Sequence, residues 1–437
     1  MTGDDPDGSV RTERRALFAW VLIVATGLIV TWLAGRADAV LGTDAPPFLG
    51  AYRWHLTPAG LLAPAVAAAV LAAAHRGWFE RLRWPAVLAA GYAAALAWAV
   101  ALALADGAAG LTEPLATAQG PVGRAAGIGA DPAGFLRDAD EGPAPAPGPA
   151  LVVWGLGRLG LDAGPGLAVA LLALAALAVP LVLATVRNVC GELPARRYLP
   201  VLALAPYAVW LAAGAGAGLT AVLGAAAAAA GAWASDHRRT GRRSATGAVL
   251  AGVLLGAAAL CSYAAPWLGL AIGGLYFARR RAALNLLSAA GALVPLAGVH
   301  VLGFRWADGL RAAQAHAAAR SEPPPSWLWW VLLGLVALLV VAGPALAASL
   351  PKVRHTPGWP LLVGAGAAVV FTLLAGLARG GAEQAWPAFL PWLTLAAVAP
   401  ESRRHGPPAP APLLLAGAGA AAAVLLRAVL EVRPWPT

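Results

Sequence analysis

RTERRALFAWVLIVATGLIVTWLAGR, residues 11–36, decides how this chain is read. Its centre, residues 16–34, carries no charge and approaches the roughly 20 residues that a helix needs to cross a bilayer. Three arginines crowd the five residues before it. An apolar run with a basic cluster on one flank is held with that flank in the cytoplasm. Residues 16–34 therefore read as a signal anchor with a cytoplasmic amino end.

Working outward, the pattern repeats. Further runs nearly free of charge cover 56–74, 84–105, 166–186, 198–214, 216–234, 246–261, 264–278, 283–303, 327–350, 358–378, 385–399 and 411–430. The expectation is an all-α polytopic membrane protein with about 11–13 transmembrane helices. Stretches 198–234 and 246–278 are interrupted by Gly and Pro, so they are either paired short helices or single broken ones. The segments RTERR, HRGWFERLRW, RNVCGELPARR, DHRRTGRR, ARRRA, PKVRH and ESRRH fall between alternate runs, on the side of the amino terminus, and hold 20 of the 31 basic residues. The acidic residues lean the other way, with 13 of 21 in or beside the outer loops. The implied location is the plasma membrane, multi-pass, with a cytoplasmic N-terminus.

A net charge of +10 suggests nucleic acid only when it forms one basic surface. Here it is split among short loops beside the spans, where anionic lipid is the natural partner, and no nucleic-acid partner is expected. Cys190 and Cys261 sit in different settings, which argues against a disulfide. The seven histidines show no HExxH pair and no metal-ligand spacing, and there is no GxxxxGK[ST] loop. No resident cofactor is expected, a divalent metal being left open.

Residues 1–15 read as a disordered polar tail, and 16–437 as a single transmembrane domain with a long outer loop at 106–165. A loop of that length in a compact fold is functional or disordered. It contains DPAGFLRDADEGPAPAPGPA before the short apolar segment PALVVWGLGRLGL. Two further outer loops matter: 304–326, and the stretch ARGGAEQAWPAFLPW that holds Arg379, Glu383, Gln384 and Trp386.

Three features carry a resemblance: an Asp at the outer end of an early span, a Pro-Gly element before apolar residues, and a late ExxW running into PxxxP. The chain resembles the GT-C superfamily of glycosyltransferases that use polyprenyl-phosphate sugars. More narrowly, FLRDADEG, PGPALVVWGLGRLGL and AEQAWPAFLPW are similar to an actinobacterial membrane family that includes the mycobacterial methylthioxylose transferase. Two positions depart from that pattern: Pro145 stands where such proteins show His, and Gln384 where they show Arg.

The resemblance implies transfer of a sugar from a polyprenyl-phosphate donor to a cell-envelope glycan acceptor on the outer face. Such transfer needs a carboxylate to take the acceptor's proton and cationic groups to hold the leaving phosphate. Asp106 is the first candidate base and Asp44 the second. Arg137, Arg305, Arg311 and Arg379 are candidate phosphate ligands, since guanidinium matches phosphate oxygens. Asp138, Glu383 and Gln384 join them as candidate substrate contacts. Trp386 is either a stacking platform for a sugar or an interface anchor. The other reading is non-enzymatic: a transporter of lipid-linked sugar, or a degenerate envelope-assembly protein.

Overall fold

The computed structural model describes residues 6–37, 41, 45–55, 57–115, 121–138, 146–211, 215–319, 327–377, 382–400 and 410–432. Among the described residues six helices are long and apolar enough to cross a membrane: Val10–Arg36, Pro58–His75, Trp84–Asp106, Gly164–Cys190, Gly216–Ala234 and Leu284–Val301. A seventh is counted if the pair Val331–Ala342 and Pro344–His355, bent by 93°, is one span. Four apolar helices are shorter: Gly148–Gly157, Ala265–Ala278, Trp359–Leu374 and Leu413–Val429. Several large apolar side chains, among them Phe18, Ile29, Leu286, Val301 and Leu425, point outward, as they must where the solvent is lipid.

Among the described residues fewer full-length helices form than the 11–13 the sequence suggests, and in two stretches proline divides the run. Stretch 198–214 divides into Glu192–Ala203, with Pro200 inside it, and a 3-10 turn Pro206–Trp210. Stretch 385–399 becomes the single turn Leu390–Leu393 followed by Leu395–Val398. Proline removes an amide donor and clashes with the preceding turn. Such breaks survive only where other groups meet the freed backbone. The Trp98 indole donates to Ala205 O at 3.2 Å, and the Tyr198 hydroxyl reaches Pro391 O and lies 2.7 Å from Thr394 Oγ1. Trp98, Trp210, Trp386, Trp392, Tyr198 and Phe389 are fully buried.

Helix pairing rests on small residues. In helix Gly241–Ala259, Gly252 and Gly256 face helix Leu284–Val301 so closely that a Cβ would lie 2.0 Å from Ser288 O and 2.3 Å from Ala292 O. This small-xxx-small spacing lets two backbones touch where no hydrophobic effect separates helix from lipid.

The amino-terminal segment differs from the expected disordered tail: helix Pro6–Arg36 begins well before the apolar run. Pro6 suits a first helical position, and Glu13 Oε2 accepts from Leu414 N at 3.2 Å, docking this segment on the start of helix Leu413–Val429.

The basic segments gather at one end of the molecule. Arg196 donates to the carbonyls of Phe79, Glu80 and Leu82, and Arg197 bonds Glu80. Arg279 reaches Asn188, Ala232 O and Ser235, while Arg281 reaches Ala234 O, Arg239 O and Ser244. Cys190 contacts Thr356, and His355 contacts Pro400 O. At the other end strand β1 (Gly50–Tyr52) pairs antiparallel with β2 (Leu430–Val432).

Candidate functional site

Helix Trp84–Ala103 tightens into a 3-10 turn, Leu104–Asp106, and stops at Gly107, whose φ of 70° needs a residue without a side chain. Asp106 thus sits on a fixed helix end. The sequence makes it the first candidate base, at the outer end of a span. Its carboxylate is paired on both sides, with Arg427 through Oδ2 and with His55 Nε2 at 2.7 Å through Oδ1. The His55 contact is close but lacks the geometry of a directed hydrogen bond.

Each partner is itself held. Arg427, buried at 8 % exposure, donates from Nε to Leu102 O at 3.1 Å. His55 Nδ1 lies 2.9 Å from Arg53 O; a carbonyl only accepts, so this nitrogen carries a proton. The amides of Arg53 and His55 donate to Val429 O and Ala428 O, extending the β1–β2 pairing. Thr57 Oγ1 donates to Ala105 O. Three remote stretches, 53–57, 102–106 and 427–431, therefore converge on one carboxylate.

Glu383, unlike the half-buried Asp106, is fully enclosed. It is 0 % exposed, and its Oε1 accepts from Leu49 N at 2.7 Å, while Oε2 meets no hydrogen-bond partner among the described residues. Burial raises its carboxyl to about 7, outweighing the Leu49 bond. Burial, with a contribution from Glu383, also raises the Tyr52 hydroxyl to about 12. Residues 49–57 thus touch Glu383 at one end and Asp106 at the other.

The other sequence candidates scatter. Arg137 lies 3.5 Å from Asp131, and Arg305 and Arg311 lie 3.9 and 2.5 Å from Asp308, all with exposed guanidinium groups. Gly303 approaches the Arg137 side chain, so these residues form a separate exposed patch. Asp138 is exposed at the end of helix Pro132–Asp138. Gln384 is buried. Trp386 is 0 % exposed, with Nε1 donating to Thr372 Oγ1 at 2.8 Å, so its ring offers a sugar no open face and anchors nothing at an interface. Asp44, Arg379 and Pro145 lie outside the described residues.

His55 and Arg427 are missing from the sequence-based set. Arg427 had a readable signal, being the one charge in the apolar run 411–430; an ionisable residue there calls for a partner. His55 had none. Among the described residues no group of three or more His, Cys, Asp or Glu side chains is placed to hold a metal. No protein-family model matches the chain, and neither a curated protein nor a solved structure matches it.

Proposed function

We propose that the chain is a membrane glycosyltransferase of the GT-C type, moving a sugar from a polyprenyl-phosphate donor to a cell-envelope glycan. In this reading the N-terminus is cytoplasmic and the chemistry takes place at the outer face of the plasma membrane. The observation that carries it is the Asp106 cluster: a carboxylate at a fixed helix end, with an imidazole and a guanidinium against it, at the end of the molecule opposite the basic segments. A donor phosphate cannot enter hydrocarbon cheaply, so a helix end at the interface is where such a carboxylate is useful. Asp106 takes the acceptor's proton, His55 gives that proton a second resting place, and Arg427 holds the carboxylate in position. Arg379 is the candidate for the leaving phosphate, since Arg137, Arg305 and Arg311 belong to a separate patch.

One observation favours the non-enzymatic reading: Asp106 is already ion-paired and Glu383 is enclosed. Neither carboxylate stands free for an acceptor. The two readings part on one assay, transfer of radiolabelled sugar from a polyprenyl-phosphate donor by membranes holding the wild type or Asp106→Asn. Losing a general base costs about 10²- to 10⁴-fold in rate, so the variant should lose most transfer at equal protein level. Equal transfer by both would pass the role to Asp44. No transfer by the wild type from any polyprenyl-phosphate donor would favour the non-enzymatic protein.

A further inference from the structure

The loop between helices Gly216–Ala234 and Gly241–Ala259 uses its arginines differently from the rest of the basic end. Asp236, Arg238, Arg239, Thr240, Arg242 and Arg243 line a half-open cavity of about 540 Å³. That volume lies within the usual range of small-ligand pockets, roughly 300–1,000 Å³. Its four arginines and single aspartate give the lining a charge of +3.

Elsewhere at this end guanidinium groups are spent on carbonyls and carboxylates: Arg196 on three carbonyls and Glu192, Arg187 on Glu192, Arg197 on Glu80, and Arg279 on Asn188. Among the described residues none of the four pocket arginines pairs with a carboxylate. Asp236 offsets one of the four charges, and its Oδ1 accepts from the Arg238 backbone amide at 3.0 Å.

The frame around the pocket is rigid. The Arg239 guanidinium lies 4.0 Å from the Trp233 ring centroid, and its Nε is enclosed with no hydrogen-bond partner among the described residues. From behind, Arg281 Nη1 donates to Arg239 O at 2.6 Å and reaches Ala234 O and the Ser244 hydroxyl. Ser244 in turn donates to Ala234 O at 2.7 Å. Like charges converge on one cavity, with the Arg239 Nε enclosed and unpaired and the Arg238, Arg242 and Arg243 side chains exposed. Converging like charges of this kind favour an anion between them.

We infer that this cavity binds a phosphate-bearing group, as a lipid headgroup or as a soluble phosphorylated compound. Guanidinium forks match phosphate oxygens two at a time, and four of them suit a diphosphate or a phosphodiester with its attached polar group. This inference is independent of the transferase reading, since it concerns the opposite end of the molecule.

The test uses the full chain in neutral maltoside micelles, titrated calorimetrically with inorganic pyrophosphate. Saturable binding near one per chain is expected. The double variant Arg242→Gln/Arg243→Gln, which alters two exposed side chains, should bind at least about tenfold more weakly. Arg11→Gln/Arg14→Gln, which removes equal charge from the same end, should bind like the wild type. Nanodiscs containing phosphatidylglycerol then identify the source. Competition with pyrophosphate, or saturable lipid binding lost in the pocket variant, assigns a headgroup; pyrophosphate binding without competition assigns a soluble compound. No saturable binding of either, or equal weakening by both double variants, would overturn the inference.

Discussion

The two ends of this molecule use charge in opposite ways. At the basic end, Arg196 and Arg279 lie among backbone carbonyls freed at helix ends and turns, so cation and fold are inseparable. At the other end, Asp106, His55 and Arg427 face one another, and Glu383 is enclosed with one oxygen unmet. A guanidinium bonded to carbonyls has no second state to adopt. A carboxylate held only by an imidazole and a guanidinium can exchange partners. The contrast teaches that abundance of charge is a poor guide to chemistry: the richer end is chiefly architecture, and the sparser end holds the groups that can change state.

The comparison breaks most easily at Arg196. It is 8 % exposed, and Arg196→Ala removes the donor to the carbonyls of Phe79, Glu80 and Leu82, a loss of about 1–3 kcal/mol. Thermal unfolding in detergent should fall steeply, whereas Arg242→Ala, at an exposed site, should move it by less than about 0.5 kcal/mol. Equal effects would erase the distinction between clamping and pocket arginines.

At the opposite end, Arg427→Met leaves Asp106 without its cation, and a loss of about 2–4 kcal/mol is expected. Adding Asp106→Asn should recover part of that loss, since the uncompensated charge is then gone. A double-mutant cycle measures the coupling; strict additivity would mean that the pair is incidental.

Glu383 sharpens the comparison through pH. Its folded carboxyl sits at about 7, above the ordinary 4.5, so the folded state holds the proton more tightly than the unfolded state does. Its contribution is complete below pH 4.5 and is lost as pH rises through about 7. The span is on the order of 1–3 kcal/mol. Glu383→Gln should flatten stability between those limits and raise it above pH 7. An unchanged pH profile would show that the carboxyl is hydrated in solution. The smallest effect belongs to His55→Ala, expected below about 1 kcal/mol, because His55 retains its backbone bonds to the carboxyl-terminal segment.

Much of this organisation is legible in the sequence. Charge-free runs and the placement of RTERR, DHRRTGRR and ARRRA announce both the membrane class and the two unlike ends, because transfer energies and loop charge act residue by residue. Helix integrity is less legible. Whether Pro206 or Pro344 bends a span or ends it depends on which remote group meets the freed backbone, as Trp98 does for Ala205. The Asp106–Arg427 pair spans 321 residues, a separation that no local pattern records. Trp386 illustrates the converse, since an aromatic in an outer segment looks like an interface anchor until Thr372 is found on its indole nitrogen.

Which side each end faces is the point on which the account turns. In a background where Cys190 and Cys261 are replaced, Asp131→Cys and Thr240→Cys each place one thiol at an exposed site, one at each end. In intact cells an impermeant maleimide should label position 131 and leave position 240 unlabelled until the membrane is opened. Labelling at 240 in intact cells, with 131 protected, would invert the molecule and remove the Asp106 cluster from the outer face.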